Sequence, residues 1–308
     1  MKILVTGGAG FIGSHVADAY VAAGHQVSVL DSLVTGRREN VNSKATLHVH
    51  DIQSPEAAAL VARERFDLIN HHAAQASVPV SVKDPLLDAR VNILGLLNLL
   101  QAAASSGVKK VVFAQSGGTV YGPTDRLPAE ETLPFDAASP YGVSKVASEL
   151  YLRVYAREHG MKFTALRYAN VYGPRQDPHG ESGVVAIFSE RMLAGGKVVV
   201  FGDGEYLRDY VYVGDVVRAN VLALEKGDNE GINIGTGKRT STNELFRTIK
   251  ALTGYAGPET HGPERAGDLR DSCLAVGKAA RVLGWEPRVG IEEGLRQTVE
   301  WFRSRSAL

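Results

Sequence analysis

Two side chains that could move a proton stand four residues apart in the segment Ser139-Pro-Tyr-Gly-Val-Ser-Lys145. On a helix that begins here, the Tyr141 phenol and the Lys145 ammonium would project from one face. Lowering a phenol pKa by about 3 units takes roughly 4 kcal/mol, which an ammonium about 4 Å away roughly supplies. Such pairs are also common on solvated helices. Together with a cofactor site, the spacing predicts a tyrosine general base assisted by a lysine.

A glycine-rich loop, Thr6-Gly-Gly-Ala-Gly-Phe-Ile-Gly-Ser14, follows an apolar run that is typical of a first strand. It satisfies G-x-G-x-x-G through Gly8, Gly10 and Gly13, with Gly7 opening the turn. Between a strand and a helix, this loop predicts a dinucleotide site whose pyrophosphate meets the free N–H groups of the helix. The cofactor contacts expected here come from Gly7, Gly10, Phe11, Ile12 and Gly13.

The nature of the dinucleotide is indicated by Asp31, which ends the second strand eighteen positions after Gly13. A carboxylate there accepts hydrogen bonds from the ribose hydroxyls and would repel a 2′-phosphate, so NAD is favoured over NADP. Arg37 and Arg38 lie close enough in sequence to keep NADP as the lesser alternative. At the end of the third strand, Asp51 and Ile52 are expected to hold the adenine, although Asp51 could also be an ordinary residue of the strand end.

Strands and helices, which must position these groups, alternate along the chain through about residue 170. Short β-branched runs are separated by helical stretches, a pattern that predicts an α/β fold with a Rossmann-type, doubly wound parallel sheet. The six runs are Ile3 to Val5, Val27 to Leu30, Thr46 to His50, Leu68 to Asn70, Val111 to Ala114 and Phe163 to Tyr168.

Beyond Gly173 the strands shorten and Gly and Pro become more frequent, which indicates a smaller C-terminal substrate-binding domain packed on the first. We expect an NAD-binding domain over 1–173 with a returning segment at about 209–236, and the substrate-binding domain over 174–208 and 237–308. Short strands are predicted at Val198 to Phe201, Asp209 to Val213 and Gly231 to Ile234. Helices are predicted at Thr240 to Leu252 and Glu292 to Arg303.

The segment from Pro85 to Ser105 is apolar around most of a helix circumference, so it needs burial on two sides. One side can be the sheet. The other could meet a second copy of the chain, together with the apolar-rich helix from Val146 to Tyr155, or it could lie under the smaller domain. A homodimer is the expectation.

Composition narrows the function classes. The 308 residues carry 34 basic and 34 acidic side chains and show no basic patch, so no nucleic-acid partner is expected. No apolar run is interpreted as long enough to span a membrane and no signal peptide is recognised, so no membrane partner is expected. Cys273 is the one cysteine, which fits a reducing cytoplasm and leaves no thiolate metal site. No metal is expected.

Seven motifs along the whole chain carry a family resemblance. They are TGGAGFIG at 6–13, HHAAQASV at 71–78, SGGTVYG at 116–122, SPYGVSK at 139–145, RYANVYGPRQ at 167–176, RDYVYVGDV at 208–216 and RAGD at 265–268. With these motifs the chain resembles the extended short-chain dehydrogenase/reductases, and within them the nucleotide-sugar 4-epimerases of the UDP-glucose 4-epimerase type.

The resemblance implies a role for each site residue and a UDP-sugar as the substrate. Tyr141 is the base and acid for the sugar 4-hydroxyl, and Lys145 depresses its pKa and holds the nicotinamide ribose. Substrate contacts are expected from Asn170, from Arg208 and Arg265 at the diphosphate, and from Asp268 at the uridine ribose. Ala73 and Ala74 are expected at the cofactor. Alternatively, Arg208 could simply pair with Asp215.

One position departs from the family pattern. The hydroxyl residue usual three places before Val120 is replaced by Gly117, and Ser116 or Thr119 could take its role only if the strand bends, because alternate residues face opposite sides. A water is the third option; Ser116 is the candidate. The resemblance further implies that Gly118 and Thr119 stand where related dehydratases and decarboxylases carry acids. Epimerisation through a 4-keto sugar is the reaction left.

Ser272 bears on which sugar the pocket accepts. In related epimerases the residue four after the RAGD aspartate walls the sugar pocket, and a small residue there leaves room for a 2-acetamido group. Activity on the UDP-glucose/UDP-galactose pair and on its N-acetylated counterpart is therefore expected, unless Tyr206 or His179 fills the gap. The alternative functions are a net 4-ketosugar reductase and a catalytically silent cofactor-sensing protein.

Overall fold

The computed structural model describes residues 1–179, 183–264 and 269–306. Its strands are β1 Lys2–Thr6, β2 Gln26–Asp31, β3 Thr46–Val49, β4 Leu68–His71, β5 Lys110–Ser116, β6 Lys162–Tyr168, β7 Asn170–Tyr172, β8 Val200–Phe201, β9 Leu207–Arg208, β10 Tyr210–Tyr212, β11 Glu230–Ile234, β12 Thr240–Ser241, β13 His261–Gly262 and β14 Asp271–Ser272.

The helices are α1 Phe11–Ala22, α2 Pro55–Glu64, α3 Val78–Lys83, α4 Pro85–Ala89, α5 Gly95–Ser106, α6 Gly117–Val120, α7 Pro140–His159, α8 Val184–Leu193, α9 Val213–Leu222, α10 Thr242–Thr253, α11 Gly277–Leu283 and α12 Ile291–Ser306. A π-helical turn, Arg90–Leu94, joins α4 to α5. A short 3₁₀ turn covers Arg38–Asn40.

The central sheet has the strand order β11-β6-β5-β4-β1-β2-β3, and every pair is parallel. Its strands are nearly continuous apolar runs because helices cover both faces. The predicted Rossmann-type α/β fold is thus confirmed. Six strands were predicted for this sheet, and the structure adds β11 beside β6 as a seventh.

Two apolar layers hold the helices on the sheet. On one face Val16 and Tyr20 of α1 pack with Val216 and Ala219 of α9. On the opposite face the buried residues come from α2, α5 and α7, and they are Leu60, Leu96, Leu99, Leu100 and Leu152. The strand order reverses at β1 and β4, so the crevice beyond their carboxyl ends is where a doubly wound sheet binds its ligand.

A separate apolar cluster lies among α8, α10 and α12, centred on Phe188, Phe246 and Leu295. Ser241 and Glu244 form a capping box that begins α10. Helix α10 begins two residues later than predicted and ends one residue later, whereas α12 extends beyond its prediction at both ends. The strand predicted over 209–213 is limited to β10, which pairs with β7. The domain boundaries themselves stay a prediction.

The composite helix Pro85–Ser106, which comprises α4, the π turn and α5, is long and apolar enough to cross a membrane by length and composition alone. The sequence interpretation that no run reaches that length was therefore wrong. Its α5 residues pack on the sheet, as in the core helix of a soluble protein. Leu86 is 69 % exposed and Leu94 57 %, so burial of this face under the smaller region is also wrong for the described chain.

Candidate active site

Tyr141 and Lys145 lie in the first turns of α7. Ser139 caps the helix by accepting a hydrogen bond from Gly142 N at 3.1 Å, and Pro140 follows at the first helical position. The Tyr141 N–H donates to Ser81 Oγ at 3.1 Å, which fixes the start of α7 against α3. Lys145 is buried, and its Nζ donates to the Ala114 carbonyl of β5 at 2.9 Å. The same Nζ lies 5.8 Å from the centre of the Tyr141 ring.

The charge state of this pair differs from the expectation. Burial raises the pKa of Tyr141, the charge of Asp88 raises it further, and a hydrogen bond with Ser116 lowers it. Burial also lowers the pKa of Lys145 to about 8, and Asp88 acts against that change. The expected depression of the phenol pKa is thus not achieved by the protein alone, because desolvation of the phenol opposes its ionisation.

The chain bends directly after Ser116, and this is the bend that Ser116 needs in order to reach Tyr141. Strand β5 ends at Ser116 and α6 begins at Gly117, so the alternation of a strand stops there. A Cβ at Gly117 would lie 2.5 Å from Leu274 Cδ1 and 3.0 Å from the Arg167 carbonyl. The usual hydroxyl residue would therefore clash at 117, and Ser116 hydrogen bonds with Tyr141 instead. The Oγ1 of Thr119 is buried without a partner among the described residues.

A cleft of about 370 Å³ opens beside this pair at the carboxyl ends of the strands. Predicted residues that line it are Phe11, Ile12, Ser116, Tyr141 and Asn170. Sequence reasoning missed Tyr168, Gln176 and Tyr210 in the same lining. The first two belong to the RYANVYGPRQ motif, so the signal was available there.

The glycine loop has the shape that a dinucleotide requires. Gly7 has φ +67°, and a Cβ on it would lie 2.6 Å from the Ala73 nitrogen. A Cβ on Gly13 would lie 2.3 Å from the Gly7 carbonyl oxygen. Helix α1 begins after Gly10 without a side-chain cap or an acidic residue in its first turn. Its free N–H groups therefore fit a pyrophosphate.

The other residues predicted at the cofactor lie along the same edge. Asp31 is buried, and its oxygens accept hydrogen bonds from Ala9 N at 2.9 Å and Leu33 N at 2.8 Å. Beyond β3, Asp51 is exposed and accepts from Gln53 N, whereas Ile52 is buried. Ala73 and half-buried Ala74 follow β4, and the Ala73 N–H donates to Thr6 Oγ1 at 3.2 Å. Arg37 lies 3.7 Å from Asp177, which partly neutralises the cation that a 2′-phosphate would need.

The residues predicted to contact the substrate do not all line the same cleft. Asn170 lies in the cleft, whereas Arg208 and Ser272 are register partners on β9 and β14 beside it. Ser272 lines a small cavity with Gly118, whose added Cβ would be 3.7 Å from Asn170 Oδ1. Arg265 and Asp268 lie outside the described residues.

Asp215 is not the partner of Arg208. Its carboxylate pairs with Arg218 at 2.9 Å and accepts hydrogen bonds from Arg288 N and Val289 N. The alternative of an Arg208–Asp215 ion pair is therefore wrong. Within 1–179, 183–264 and 269–306, no group of three His, Cys, Asp or Glu side chains could hold a metal ion.

The sheet order, the glycine loop and the tyrosine–lysine pair at one cleft define a Rossmann-type, dinucleotide-dependent enzyme site. Residues 3–235 match the model of the NAD dependent epimerase/dehydratase family. The chain belongs to this family. Expectations of a nucleotide-sugar epimerase relationship and of NAD as the cofactor are confirmed at this level.

Three solved structures are similar over almost the entire chain. UDP-glucose 4-epimerase of Thermotoga maritima, bound to UDP-glucose, is 53 % identical with a TM-score of 0.97, covering 99 % of this chain and 100 % of that one. The Thermus thermophilus UDP-glucose 4-epimerase complex with NAD is 49 % identical, with a TM-score of 0.93 and coverage of 98 % and 99 %. UDP-N-acetylglucosamine 4-epimerase of Methanobrevibacter ruminantium, in complex with UDP-N-acetylmuramic acid, is 35 % identical, with a TM-score of 0.93 and coverage of 99 % and 98 %.

Proposed function

We propose that this protein is an NAD-dependent 4-epimerase of UDP-sugars. The observation that carries the proposal is the composition of the cleft. Its wall beside Tyr141 offers a phenol and the Ser116 hydroxyl, and Gly117, Gly118 and Thr119 bring no acid to this wall. Asp177, in the same lining, is paired with Arg37. Elimination or decarboxylation would need an acid at that wall, whereas epimerisation needs only the phenol and the cofactor.

In this mechanism Tyr141 takes the proton of the sugar 4-hydroxyl as the C4 hydride leaves, and it returns a proton to the oxygen after the 4-keto sugar has turned over. NAD, when bound, would supply the hydride acceptor and donor and the positive charge of its oxidised ring. The Ser116 hydroxyl hydrogen bonds with Tyr141 and so orients the phenol. Lys145, fixed on the Ala114 carbonyl, supplies a positive charge that favours the phenolate.

The glycine loop and the N-terminus of α1 would hold the pyrophosphate of the cofactor, and Asp31 would hold its ribose hydroxyls. For the substrate, we assign Asn170 to the sugar end, Arg208 and Arg265 to the diphosphate, and Asp268 to the uridine ribose. Arginine suits the diphosphate because its hydrogen bonds to phosphate are charge-assisted. Among the described residues, Arg208 Nη1 donates only to its neighbour Leu207 O, at 2.9 Å, which leaves the guanidinium charge for a ligand.

The sugar pocket should accept a 2-acetamido group. Ser272 is small and borders the cavity beside Gly118. The two side chains that could have filled the gap are engaged elsewhere: the Tyr206 ring lies 4.8 Å from the Arg270 guanidinium, and His179 is exposed, 3.9 Å from Glu190. One of the three similar structures is a UDP-N-acetylglucosamine 4-epimerase, which agrees with this assignment.

The test uses purified protein with no cofactor added. Denaturation should release NAD(H), and incubation with UDP-glucose or UDP-N-acetylglucosamine should produce the 4-epimer of each without net use of NAD(P)H. Stoichiometric consumption of added NAD(P)H would indicate the alternative ketosugar reductase. Bound cofactor with no product from either sugar would favour the cofactor-sensing alternative and would contradict the proposal.

We also propose a cytoplasmic homodimer. Exposed apolar side chains lie along one face of α7, at Val143, Leu150 and Val154, beside the exposed Leu86 and Leu94 of the composite helix. The first three are seven and four residues apart, so they form one stripe. A second copy presenting the same stripe would cover it in a two-fold arrangement. The lone cysteine, Cys273, is buried, which suits a reducing compartment.

A further inference from the structure

A buried carboxylate lies behind the Tyr141–Lys145 pair and has no part in the mechanism above. Asp88 belongs to α4 and is 1 % exposed. Its Oδ1 accepts hydrogen bonds from Gln75 Nε2 at 2.9 Å and from Asn92 Nδ2 at 3.0 Å. Both donors are neutral amides, which satisfy the oxygen and bring no positive charge to it.

The same amides connect Asp88 to the catalytic turn. Asn92 Nδ2 also donates to Ser144 Oγ at 3.2 Å, and Ser144 Oγ donates to the Tyr141 carbonyl at 2.9 Å. Ser144 directly precedes Lys145. Asn92 lies in the π turn, an irregularity that is frequent at functional sites. The chain of contacts therefore places a buried negative charge against the first turn of α7.

Few other charges face this place. His71 at the end of β4 is buried and the next residue, His72, is half-buried; desolvation together with Lys145 lowers the pKa of each to about 3, so they are neutral during turnover. Lys83 of α3 and Arg90 of the π turn are exposed. Further along α7, Glu149 is paired with Arg167. Asp88 is the charge that acts on both members of the pair, raising the pKa of Lys145 and of Tyr141.

We propose that Asp88 is a positioning residue whose buried charge sets the pH at which the Tyr141–Lys145 pair gives up its first proton. A negative charge stabilises the protonated form of both groups. Without the charge of Asp88, the first proton leaves the pair at lower pH, whether Tyr141 or Lys145 loses it. The inference rests on the proposed function, because the deprotonated pair is the form that accepts the proton of the sugar hydroxyl.

The test compares Asp88→Asn with Asp84→Asn in the holoenzyme. Asp84 precedes α4 and is exposed, and its Oδ1 caps Leu87 N at 2.8 Å, so its variant changes charge and helix stability without touching the buried network. In Asp88→Asn the acid limb of the kcat/KM profile should shift to lower pH by about one unit, a typical effect of one buried charge. In Asp84→Asn it should not move.

A second readout does not need turnover. The tyrosinate absorbance of the NAD-bound protein, minus that of its Tyr141→Phe variant, isolates Tyr141, and its midpoint should fall in Asp88→Asn. If the wild type epimerises no UDP-sugar, the proposed function fails while this titration still tests Asp88. If Asp88→Asn does not fold, Asp88→Glu and Asp88→Gln form an equal-sized pair that differs in charge. The inference would be overturned if Asp88→Glu and Asp88→Gln had the same acid limb in their kcat/KM profiles. It would also be overturned if folded Asp88→Asn had the acid limb of the wild type.

Discussion

Desolvation and the negative charge of Asp88 raise the pKa of the half-buried Tyr141 phenol, so the protein alone keeps it protonated near neutral pH. Positive charge must therefore come from Lys145 and from the oxidised cofactor before the phenol can act as a base. The Ser116 hydroxyl helps by a hydrogen bond, whose contribution is small beside the loss of the phenol itself. The two residues should accordingly differ in their importance for turnover.

We expect Tyr141→Phe to lower kcat by about 10³-fold or more, because it removes the proton acceptor and little volume. Ser116→Ala should lower kcat by only about 10- to 100-fold, the usual value of one hydrogen bond to a charged group. Both variants should retain bound NAD(H), measured after denaturation. Equal losses in the two variants would show that Ser116 transfers the proton jointly with Tyr141.

Sugar selectivity depends on the volume at position 272. Ser272→Tyr should suppress conversion of the N-acetylated UDP-sugars by about 100-fold and leave UDP-glucose conversion within a few-fold of wild type, because a bulky ring excludes the acetamido group sterically. The measurement is kcat/KM for both substrate pairs. Ser272→Ala serves as the control and should convert both. Parallel loss on both pairs would contradict the assignment of Ser272 to the acetamido pocket.

At the residue scale the sequence indicated which residues to consider for the site, but it did not predict the direction of the Tyr141 pKa shift. The glycine spacing, Asp31 and the Tyr141–Lys145 pair depend on local chemistry, and the structure places them along one edge of the sheet. The sign of the Tyr141 pKa shift could not be predicted, because it depends on burial by distant segments. Asp88 was missed, although an aspartate and an asparagine four residues apart in a largely apolar helix were a usable signal.

At the scale of elements, a buried ion pair joins α7 to the sheet below the catalytic turn. Arg167 of β6 donates to Glu149 through Nε at 3.1 Å and Nη2 at 2.7 Å, and both side chains are buried. Gln115 of β5 donates from one Nε2 to Glu149 and to the Lys145 carbonyl. Loss of the carboxylate would leave the guanidinium buried without a counter-charge.

Glu149→Ala should therefore lower the free energy of unfolding by about 3–5 kcal/mol, measured by urea denaturation at pH 7. Arg153→Ala, which removes only the half-exposed partner of the same carboxylate, should cost less than about 1 kcal/mol. Burial raises the pKa of Glu149, but Arg167 outweighs it and the net shift is downward. The contribution is thus present above the unfolded pKa and is lost as pH falls through the lower folded value. Similar losses in the two variants would contradict this account.

The sequence predicted whole elements where the periodicity is local. The six strands through residue 168 were found with small errors at their ends, because each is a short run of mostly apolar residues whose pattern is local. The place of β11 in the same sheet is a long-range pairing with β6 that no local pattern encodes. The bend after Ser116 was likewise hidden, since the contact of Gly117 with Leu274 arises only in the folded chain.

At the scale of the whole molecule, exposed apolar side chains of α7 and of the composite helix form a surface that a second copy could cover. Leu150 is 49 % exposed and Val154 48 %, and they continue the stripe of Leu86 and Leu94 across two neighbouring helices. Exposed apolar side chains grouped in this way favour the proposed association surface. Two stripes meeting about a two-fold axis would pack four helices together, with both clefts left inside their own chains.

Leu150→Glu should therefore convert the protein from dimer to monomer, because a carboxylate at the centre of the stripe would be buried beside its own symmetry copy without a partner. Sedimentation velocity across a range of concentrations measures the change. Val34→Glu is the matched control, since Val34 is an exposed apolar residue, 84 % accessible, that lies far along the chain from the stripe. That control should sediment as the wild type does. The monomeric variant should keep its bound NAD(H), because the glycine loop and Asp31 belong to a single chain. Wild-type protein that sediments as a monomer, or that binds lipid vesicles through this helix, would contradict the proposed dimer.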